Sequence, residues 1–428
     1  MSTVAVQRRR ALEALRAGVP NGDAVRALGS MQRGVEDRFS QLLGAVRALP
    51  EGPAPGGVLI GGDFGTGKSH VLEHLAHVAL SEGFVVSKVV ISKETPLHDP
   101  VKVYRAAIEQ AKVPGRPGSA IDEIATGLQE DSPRYAELYH WAHHDPPVDS
   151  RFAATLFLHD YGRGDEEFTD RVVRFWAGDP LPVADLRRRL KEAGAAATYR
   201  LAAVKERDLS RQRFRFVSRL AQAAGHAGWV VLLDEVELIG RYTSLQRAKS
   251  YAEVARWARG DRDDPGAPIC AVLTTVSDFE TTVLVGKNDL ELIGKRLRAR
   301  GTVEDEMLAN QAEAGMRAIE RDQLPLQPPG REELDQTYAQ LKQIHAEAFG
   351  WGPPDVPGLE RLPSNRMRQY VRAWINEWDL RRLDPSYRPE TSVSALEVDL
   401  STDSDLAGEG LAGEGLAGEN TDDGAGEG

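Results

Sequence analysis

The chain has 428 residues, 41% of them hydrophobic, and it carries 53 Lys and Arg against 65 Asp and Glu, a formal net charge of −12. This length allows two or three domains with sizeable cores, and the single cysteine, Cys270, excludes an intramolecular disulfide framework. The longest stretch without a charged residue, 220–233, is shorter than the ~18–20 apolar residues of a membrane-spanning helix. Because the N-terminus also lacks an apolar signal core, we expect a cytoplasmic protein without a membrane partner.

The excess of acidic residues lies in the C-terminal tail. Residues 391–428 contain ten Asp and Glu and no Lys or Arg, so the preceding 390 residues carry 53 basic and 55 acidic side chains. The tail repeats Leu-Ala-Gly-Glu-Gly at 406–410 and 411–415. A repeat of this composition buries too little apolar surface to offset the entropy of ordering it, so we predict a disordered tail. The nearly neutral remainder does not exclude a nucleic-acid partner.

Strands and helices alternate along much of the chain. Amphipathic helices are predicted at 4–15, from about 23, and at 32–49. Short apolar runs predict buried strands at 57–61, 84–91, 229–233 and 269–274, with a weaker strand at 323–326. Further helices are predicted at 68–82, 245–259, 332–348 and 364–380. The alternation is typical of an α/β fold with a parallel sheet.

A long segment between the second and third predicted strands, about 100–225, contains no predicted strand. Pro, Gly and Asp residues separate candidate helices at 100–112, 119–129, 133–144, 150–160, 166–176, 183–193 and 197–225. Their apolar faces suffice for a packed subdomain. We therefore predict a large helical insertion within the sheet domain.

A glycine-rich loop between the first strand and the helix after it carries the strongest functional signal. It reads Gly62, Asp63, Phe64, Gly65, Thr66, Gly67, Lys68, Ser69, which fits the phosphate-binding loop pattern GxxxxGK[ST]. Glycines let successive backbone N–H groups face a phosphate, and the N-terminus of the following helix adds partial positive charge. We expect Lys68 to reach the β- and γ-phosphates of ATP and the Ser69 hydroxyl to hold Mg²⁺.

Two acidic residues follow the third predicted strand. The run Val230 to Leu233 places Asp234 at the carboxyl end of a buried strand, the edge at which ligands bind in open α/β sheets. We expect Asp234 to position Mg²⁺ and Glu235 to orient and deprotonate the attacking water. An acidic pair after a strand is common, so this interpretation depends on its combination with the glycine-rich loop.

Polar residues farther along the chain are weaker candidates. Thr274 and Thr275 end the fourth strand, where Thr275 is our candidate for holding the lytic water or the γ-phosphate, although β-branched residues also simply suit a strand. Arg366 is our candidate for a phosphate sensor that reaches the site from a lid. Arg368 and Arg372, at i and i+4 on the same predicted helix, suit a solvated face equally well.

Two other clusters have competing interpretations. His140, His143 and His144 end a predicted helix, and a solvent-facing helix end is favoured over a metal site because no cysteine lies nearby. The basic stretch 295–300 favours a solvated loop, with DNA contact as one alternative. The other alternative is an arginine supplied to a neighbouring subunit of a homo-oligomer, for which the candidates are Arg296, Arg298 and Arg300.

These motifs resemble the additional-strand catalytic glutamate class of P-loop NTPases, and the helices downstream resemble AAA+ proteins of the origin-recognition and STAND groups. A narrower resemblance is to the ATP-binding proteins of bacterial BREX phage-defence systems, the BrxD-like group. Four passages carry it: 10–20, the glycine-rich loop extended to His70, 95–104 and 224–237. The whole resemblance spans about residues 1–385. The resemblance extends the expected nucleotide-binding residues to His70.

The resemblance implies an AAA+-like ATPase that uses ATP and Mg²⁺ and drives or gates assembly of a defence complex on DNA. The domains are then 1–50 (N-terminal helices), 51–327 (P-loop ATPase core with the insertion), 328–385 (helical lid) and 386–428 (disordered acidic tail). Implied partners are other defence proteins, such as a helicase or methyltransferase. Origin-recognition relatives end in a winged-helix domain, whereas an acidic tail follows Leu383 here, so any DNA contact is expected to be indirect.

Two alternatives stay open from sequence. One is a nucleotide-gated scaffold or switch, similar to STAND proteins, with little hydrolysis. The other is a P-loop kinase, which is disfavoured because Glu235 suits water activation and no acceptor-binding motif is evident. We expect the insertion at about 100–225 to carry the partner-binding surface and its position to respond to the nucleotide.

Overall fold

A five-stranded parallel sheet is at the centre of the part of the chain that the computed structural model describes, residues 3–49, 56–144, 148–162, 164–260, 266–356 and 367–387. The strands are β1 Val58–Gly61, β2 Val85–Val90, β3 Trp229–Asp234, β4 Ile269–Thr275 and β5 Gln323–Pro325. Their order across the sheet is β2-β3-β4-β1-β5, and each neighbouring pair is parallel. The prediction of an α/β fold with a parallel sheet is confirmed.

The sheet is covered on both faces, which explains why its strands are near-continuous apolar runs. Side chains alternate between faces along β3. Val230 and Leu232 pack into one core with α3 and α4 residues, whereas Trp229, Val231 and Leu233 pack into a larger core on the other face. All six residues of β3 are buried, Asp234 at its end included.

Sixteen α-helices surround the sheet in the described residues. They are α1 Thr3–Ala17, α2 Gly22–Leu28, α3 Arg33–Arg47, α4 Lys68–Ser81, α5 Pro100–Glu109, α6 Ala120–Thr126, α7 Pro133–His144, α8 Ser150–Tyr161, α9 Glu166–Ala177, α10 Val183–Glu192, α11 Glu206–Ala223, α12 Ser244–Arg259, α13 Asp289–Arg298, α14 Val303–Arg321, α15 Arg331–Phe349 and α16 Met367–Leu383. A 3₁₀ turn covers Val236–Arg241, and a π-helix covers Glu280–Val285. None of the helices in the described ranges is long and apolar enough to cross a membrane.

The predicted insertion corresponds to α5 to α11, which lie between β2 and β3. Their apolar residues join the larger core, where Tyr104, Trp176 and Phe214 are buried together with Trp229 of β3. The predicted helix 197–225 is shorter than expected, since α11 begins only at Glu206.

Helices between β4 and β5 differ from the sequence prediction. The basic stretch 295–300, for which the sequence favours a loop, instead forms the end of α13 and the turn after it. The favoured loop interpretation is therefore wrong. Helix α14, which the sequence analysis did not predict, packs along α13 and α12.

The N-terminal helices divide between two cores. Helix α3 packs on the sheet beside α4, whereas α1 and α2 form a separate core with α15 and α16. Buried aromatic residues of α16, Tyr370, Trp374 and Trp378, lie in that second core. The boundaries 1–50, 51–327 and 328–385 stay a prediction, and this packing links the first two helices to the helices predicted as the lid.

Candidate functional site

The glycine-rich loop lies at the carboxyl edge of the sheet, between β1 and α4. Gly65 and Gly67 have φ angles of 79° and 107°, a left-handed backbone that glycine adopts without steric cost. The N–H of Gly62 donates to the Thr275 carbonyl of β4 at 3.0 Å, which fixes the start of the loop to the neighbouring strand. Helix α4 begins directly after Gly67, so its unsatisfied N–H groups end at this loop.

Lys68 lies inside the loop rather than in solvent. Its side chain is 9% exposed. The ammonium donates to the Gly62 carbonyl at 2.5 Å, lies 3.4 Å from Oε1 of Glu237, and is 5.0 Å from the ring centre of Phe64. The lysine is therefore held by its own chain within reach of the loop that would bind a phosphate.

Asp234 and Ser69 meet at the end of β3. The Ser69 hydroxyl donates to Oδ2 of Asp234 at 3.4 Å, and the Thr274 hydroxyl donates to Oδ1 at 2.6 Å. The Lys88 ammonium, from the edge strand β2, lies 3.9 Å from Oδ2. Carboxylate and hydroxyl oxygens are the hard ligands that Mg²⁺ prefers. The two residues predicted to hold a metal are thus neighbours in the structure.

Glu235 follows Asp234 with a strained backbone and an exposed side chain. Its φ of 59° and ψ of 36° are left-handed, which is uncommon outside glycine and recurs at functional sites. Its N–H donates to Oδ1 of Asp234 at 3.1 Å. Desolvation and the neighbouring Asp234 charge raise the pKa of Glu235, against the opposing effect of Lys68 and Lys88.

The two threonines that end β4 have different environments. Thr274 is fully buried and bonded to Asp234, as described above. Thr275, the predicted catalytic residue, is 3% exposed, and its hydroxyl has no hydrogen-bond partner among the described residues. Its backbone carbonyl holds Gly62. The structure therefore brings Thr274, rather than Thr275, into contact with the predicted metal ligand.

His70 extends the loop toward the N-terminal helices. Its Nε2 donates to the Gly29 carbonyl at 2.6 Å, after the end of α2. Burial lowers the pKa of His70, and the Gly29 bond opposes that change. The residue predicted to bind nucleotide thus joins α4 to the segment that follows α2.

A cavity of about 230 Å³ opens beside the loop, between the sheet and the core of α1, α2, α15 and α16. The glycine-rich loop, Asp234 and Glu235 form its polar side. Its apolar wall includes Leu15 and Leu28 from the N-terminal helices and Val371 from α16. A pocket that combines an apolar wall with a glycine-rich loop at a helix N-terminus suits a ligand with an apolar part and an anionic part.

Arginine reaches this cavity from α16. Arg366, the predicted phosphate sensor, lies outside the described residues. Arg368 lines the cavity, and its backbone N–H donates to the Gly65 carbonyl at 3.4 Å. Its guanidinium occupies the space beside Gly18, where a Cβ atom would lie 2.1 Å from Nη2. Arg372 is exposed and is not one of the residues that line the cavity.

The remaining clusters lie elsewhere. His143 is bonded to the Tyr139 carbonyl and the Tyr199 hydroxyl, both at 2.8 Å. The described residues contain no group of three or more His, Cys, Asp or Glu side chains that could hold a metal ion. Of the basic residues at the end of α13, Arg298 pairs with Glu306 and Glu313 of α14. Arg300 lies 3.3 Å from Asp305, whereas Arg296 is exposed.

Sequence reasoning missed two residues of the site, Lys88 and Glu237. The signal for Lys88 was a charged residue inside an apolar strand. The signal for Glu237 was a further carboxylate after the pair Asp234 and Glu235. Its contact with Lys68 depends on the 3₁₀ turn, which the sequence analysis did not predict.

A family model described as BREX system ATP-binding protein BrxC/D matches residues 5–129 and 150–379, which include every residue of the site described above. No curated protein matches the chain.

Proposed function

Since the chain belongs to the family of BREX system ATP-binding proteins BrxC/D, we propose that it is a magnesium-dependent ATPase with an AAA+-like P-loop fold. ATP binding and hydrolysis then drive or gate the assembly of a phage-defence complex on DNA. The observation that supports this most is the meeting of Lys68, Ser69 and Asp234 at one edge of the sheet.

The strand order supports the P-loop assignment. Strand β4 lies between β1, which leads into the phosphate-binding loop, and β3, which ends in Asp234. This is the additional strand after which that class of NTPases is named. Thr274 of β4 then lies between the two motifs and bonds to Asp234.

Nucleotide binding follows from the residues of the cavity. The backbone N–H groups of the loop and of the first turn of α4 bind the phosphates, and Lys68 adds a positive charge. The apolar wall, with Leu15, Leu28 and Val371, covers the base. Arg368 lines the cavity from α16, and in this proposal it contacts the phosphates in the role predicted from sequence for Arg366.

A magnesium ion fits the donor set of Ser69 and Asp234. The Ser69 hydroxyl and Oδ2 of Asp234 lie 3.4 Å apart, close enough for both oxygens to contact one small cation. When bound, the ion would neutralise charge on the β- and γ-phosphate oxygens. Thr274 orients the Asp234 carboxylate for this purpose through its 2.6 Å hydrogen bond.

Hydrolysis requires a base near the phosphate end of the cavity. Glu235 lines the cavity beside Asp234, and its raised pKa strengthens it as a base toward water. Its strained backbone places the carboxylate at the opening rather than in the core. We therefore assign Glu235 to water activation.

A second candidate function is a nucleotide-gated scaffold with slow hydrolysis. The contacts of Lys68 with Glu237 and Gly62 favour it. With its charge paired inside the chain, Lys68 suits a protein that is stable in a nucleotide-free state and changes conformation when ATP binds. The packing of α1 and α2 with α15 and α16 along the cavity would transmit the nucleotide state in either case.

Phosphate release from ATP by the full chain, measured alone, with DNA and with cellular partners, separates these functions. An ATPase releases phosphate in a Mg²⁺-dependent way that Lys68→Ala abolishes, because this variant loses nucleotide binding. ATP binding without release under every condition supports the scaffold. Transfer of phosphate to an acceptor other than water would instead favour a kinase.

A further inference from the structure

Glu237 is a buried carboxylate beside Lys68, and the ATP binding and hydrolysis proposed for this site give it no role. Its side chain is 3% exposed, in the 3₁₀ turn Val236–Arg241 that follows β3. Oε1 lies 3.4 Å from the Lys68 ammonium, and Oε2 has no hydrogen-bond partner among the described residues. The residue also lines the cavity.

A carboxylate in this position needs a nearby cation. A buried charge is costly unless it is paired, and Lys68 is the cation that the structure places beside Glu237. Burial raises the pKa of Glu237, and the Lys68 charge opposes that rise. The pair is therefore mutually stabilising as long as the ammonium stays where it is.

The same ammonium is the group that a di- or triphosphate needs. A lysine has three N–H donors and no acceptor. The Gly62 carbonyl and Glu237 both hold it here, and both belong to the chain itself. When a phosphate draws Lys68 away, Glu237 loses its partner and faces added negative charge in the same cavity.

We propose that Glu237 is a positioning residue that holds Lys68 until a nucleotide competes for it, and thereby weakens the binding of nucleoside di- and triphosphates. This inference rests on the proposed function, since it assumes that Lys68 binds ATP. Its effect is to lower affinity for ATP and ADP alike and to speed the release of ADP. Glu237 would thus set the rate of nucleotide exchange without contacting the phosphates.

Two variants test the assignment in the full-length chain. Glu237→Gln keeps the size of the side chain and removes its charge, while Glu237→Met also removes the acceptor and keeps the site folded by apolar burial. Glu304→Gln removes an exposed carboxylate at the start of α14 and is the matched control. Dissociation constants for ATP, ADP and AMP are measured by calorimetry with and without Mg²⁺, and ADP release is followed by stopped flow.

Both Glu237 variants are expected to bind ATP and ADP roughly tenfold more tightly, the scale of one lost contact to a charged group, and to release ADP correspondingly more slowly. AMP affinity should not change, because AMP lacks the phosphates that Lys68 binds, and Glu304→Gln should match the wild type. A purely structural role for Glu237 would not separate ADP from AMP in this way.

Three results would overturn the inference. Unchanged ADP affinity in both variants means that Glu237 does not compete for Lys68. Weaker ATP and ADP binding means that Glu237 instead prepares Lys68 for the phosphates. Failure of the wild type to bind ATP would remove the proposed function and this inference with it, an outcome distinct from the first two.

Discussion

The adjacent threonines of β4 offer a matched pair of substitutions at the proposed metal site. Thr274→Val removes a hydroxyl that donates to Asp234 at 2.6 Å in a fully buried position. Thr275→Val removes a hydroxyl that is equally buried but has no partner among the described residues. Valine keeps the shape of threonine, so each variant isolates one hydroxyl.

The expected magnitudes differ because only one hydroxyl is bonded. A hydrogen bond to a charged group contributes about 1.5–3 kcal/mol, so Thr274→Val should lower the free energy of unfolding by about that amount. Loss of a group that orients a metal ligand typically lowers metal affinity by about 10–100-fold. Thr275→Val should leave both quantities unchanged or raise stability slightly, since it removes an unsatisfied buried hydroxyl.

Two assays read these effects separately. Urea denaturation gives the free energy of unfolding, and ATP binding titrated against Mg²⁺ gives the metal dependence. If both variants have the same stability and the same Mg²⁺ dependence, the Thr274 hydroxyl does not orient the Asp234 carboxylate. A loss of turnover in Thr275→Val with unchanged Mg²⁺ dependence would support the predicted catalytic role of Thr275.

Three further predictions concern a glycine of the cavity wall, a half-buried histidine and an exposed arginine of α13. Gly18→Ala should weaken ATP binding severalfold, because its Cβ would collide with the Arg368 guanidinium. Gly29 also has a positive φ angle but has open space around it, so Gly29→Ala should affect binding less. Calorimetry compares the ATP affinities of the two variants. His98, whose pKa burial lowers to about 4, should make the folded state lose stability as pH falls from 6.5 toward 4, because the unfolded chain then binds the proton more tightly. This loss should shrink in His98→Gln when unfolding is measured across that range. If Arg296 serves a neighbouring subunit, turnover per subunit should rise with protein concentration in the wild type and stay low in Arg296→Ala; concentration-independent turnover by a monomer would contradict this.

The local parts of the fold and site could be predicted from sequence. Strands β1 to β4 were predicted because each is an apolar run bounded by Gly, Pro or charged residues. The meeting of the glycine-rich loop with Asp234 follows from geometry, since the carboxyl ends of parallel strands share one edge. The predicted family resemblance is also confirmed by the family match.

Helix α14 was not predicted from sequence, and small residues form most of its buried face. Ala309, Ala312 and Gly315 bring it against α12, where a Cβ on Gly315 would lie 1.9 Å from the Tyr251 carbonyl oxygen. Such close packing needs few large apolar side chains, so the hydrophobic periodicity that marks a helix is weak.

The wall of the cavity depends on contacts between distant parts of the chain. Gly18 and Arg368 are 350 positions apart and yet adjacent beside the loop. The contact of Glu237 with Lys68 likewise depends on the 3₁₀ turn after β3, which no sequence pattern predicted. Long-range packing of this kind is set by the whole fold, so the motifs located the glycine-rich loop and Asp234 but not the apolar wall of the cavity.

ATP turnover and ATP affinity of Glu235→Gln, measured together on the full chain, test the central claim most directly. The amide still forms hydrogen bonds but is a poor base, so turnover should fall by ~10²–10⁴-fold while the dissociation constant for ATP stays close to that of the wild type. Hydrolysis by Glu235→Gln at the rate of the wild type would contradict the assignment of Glu235 and the mechanism built on it.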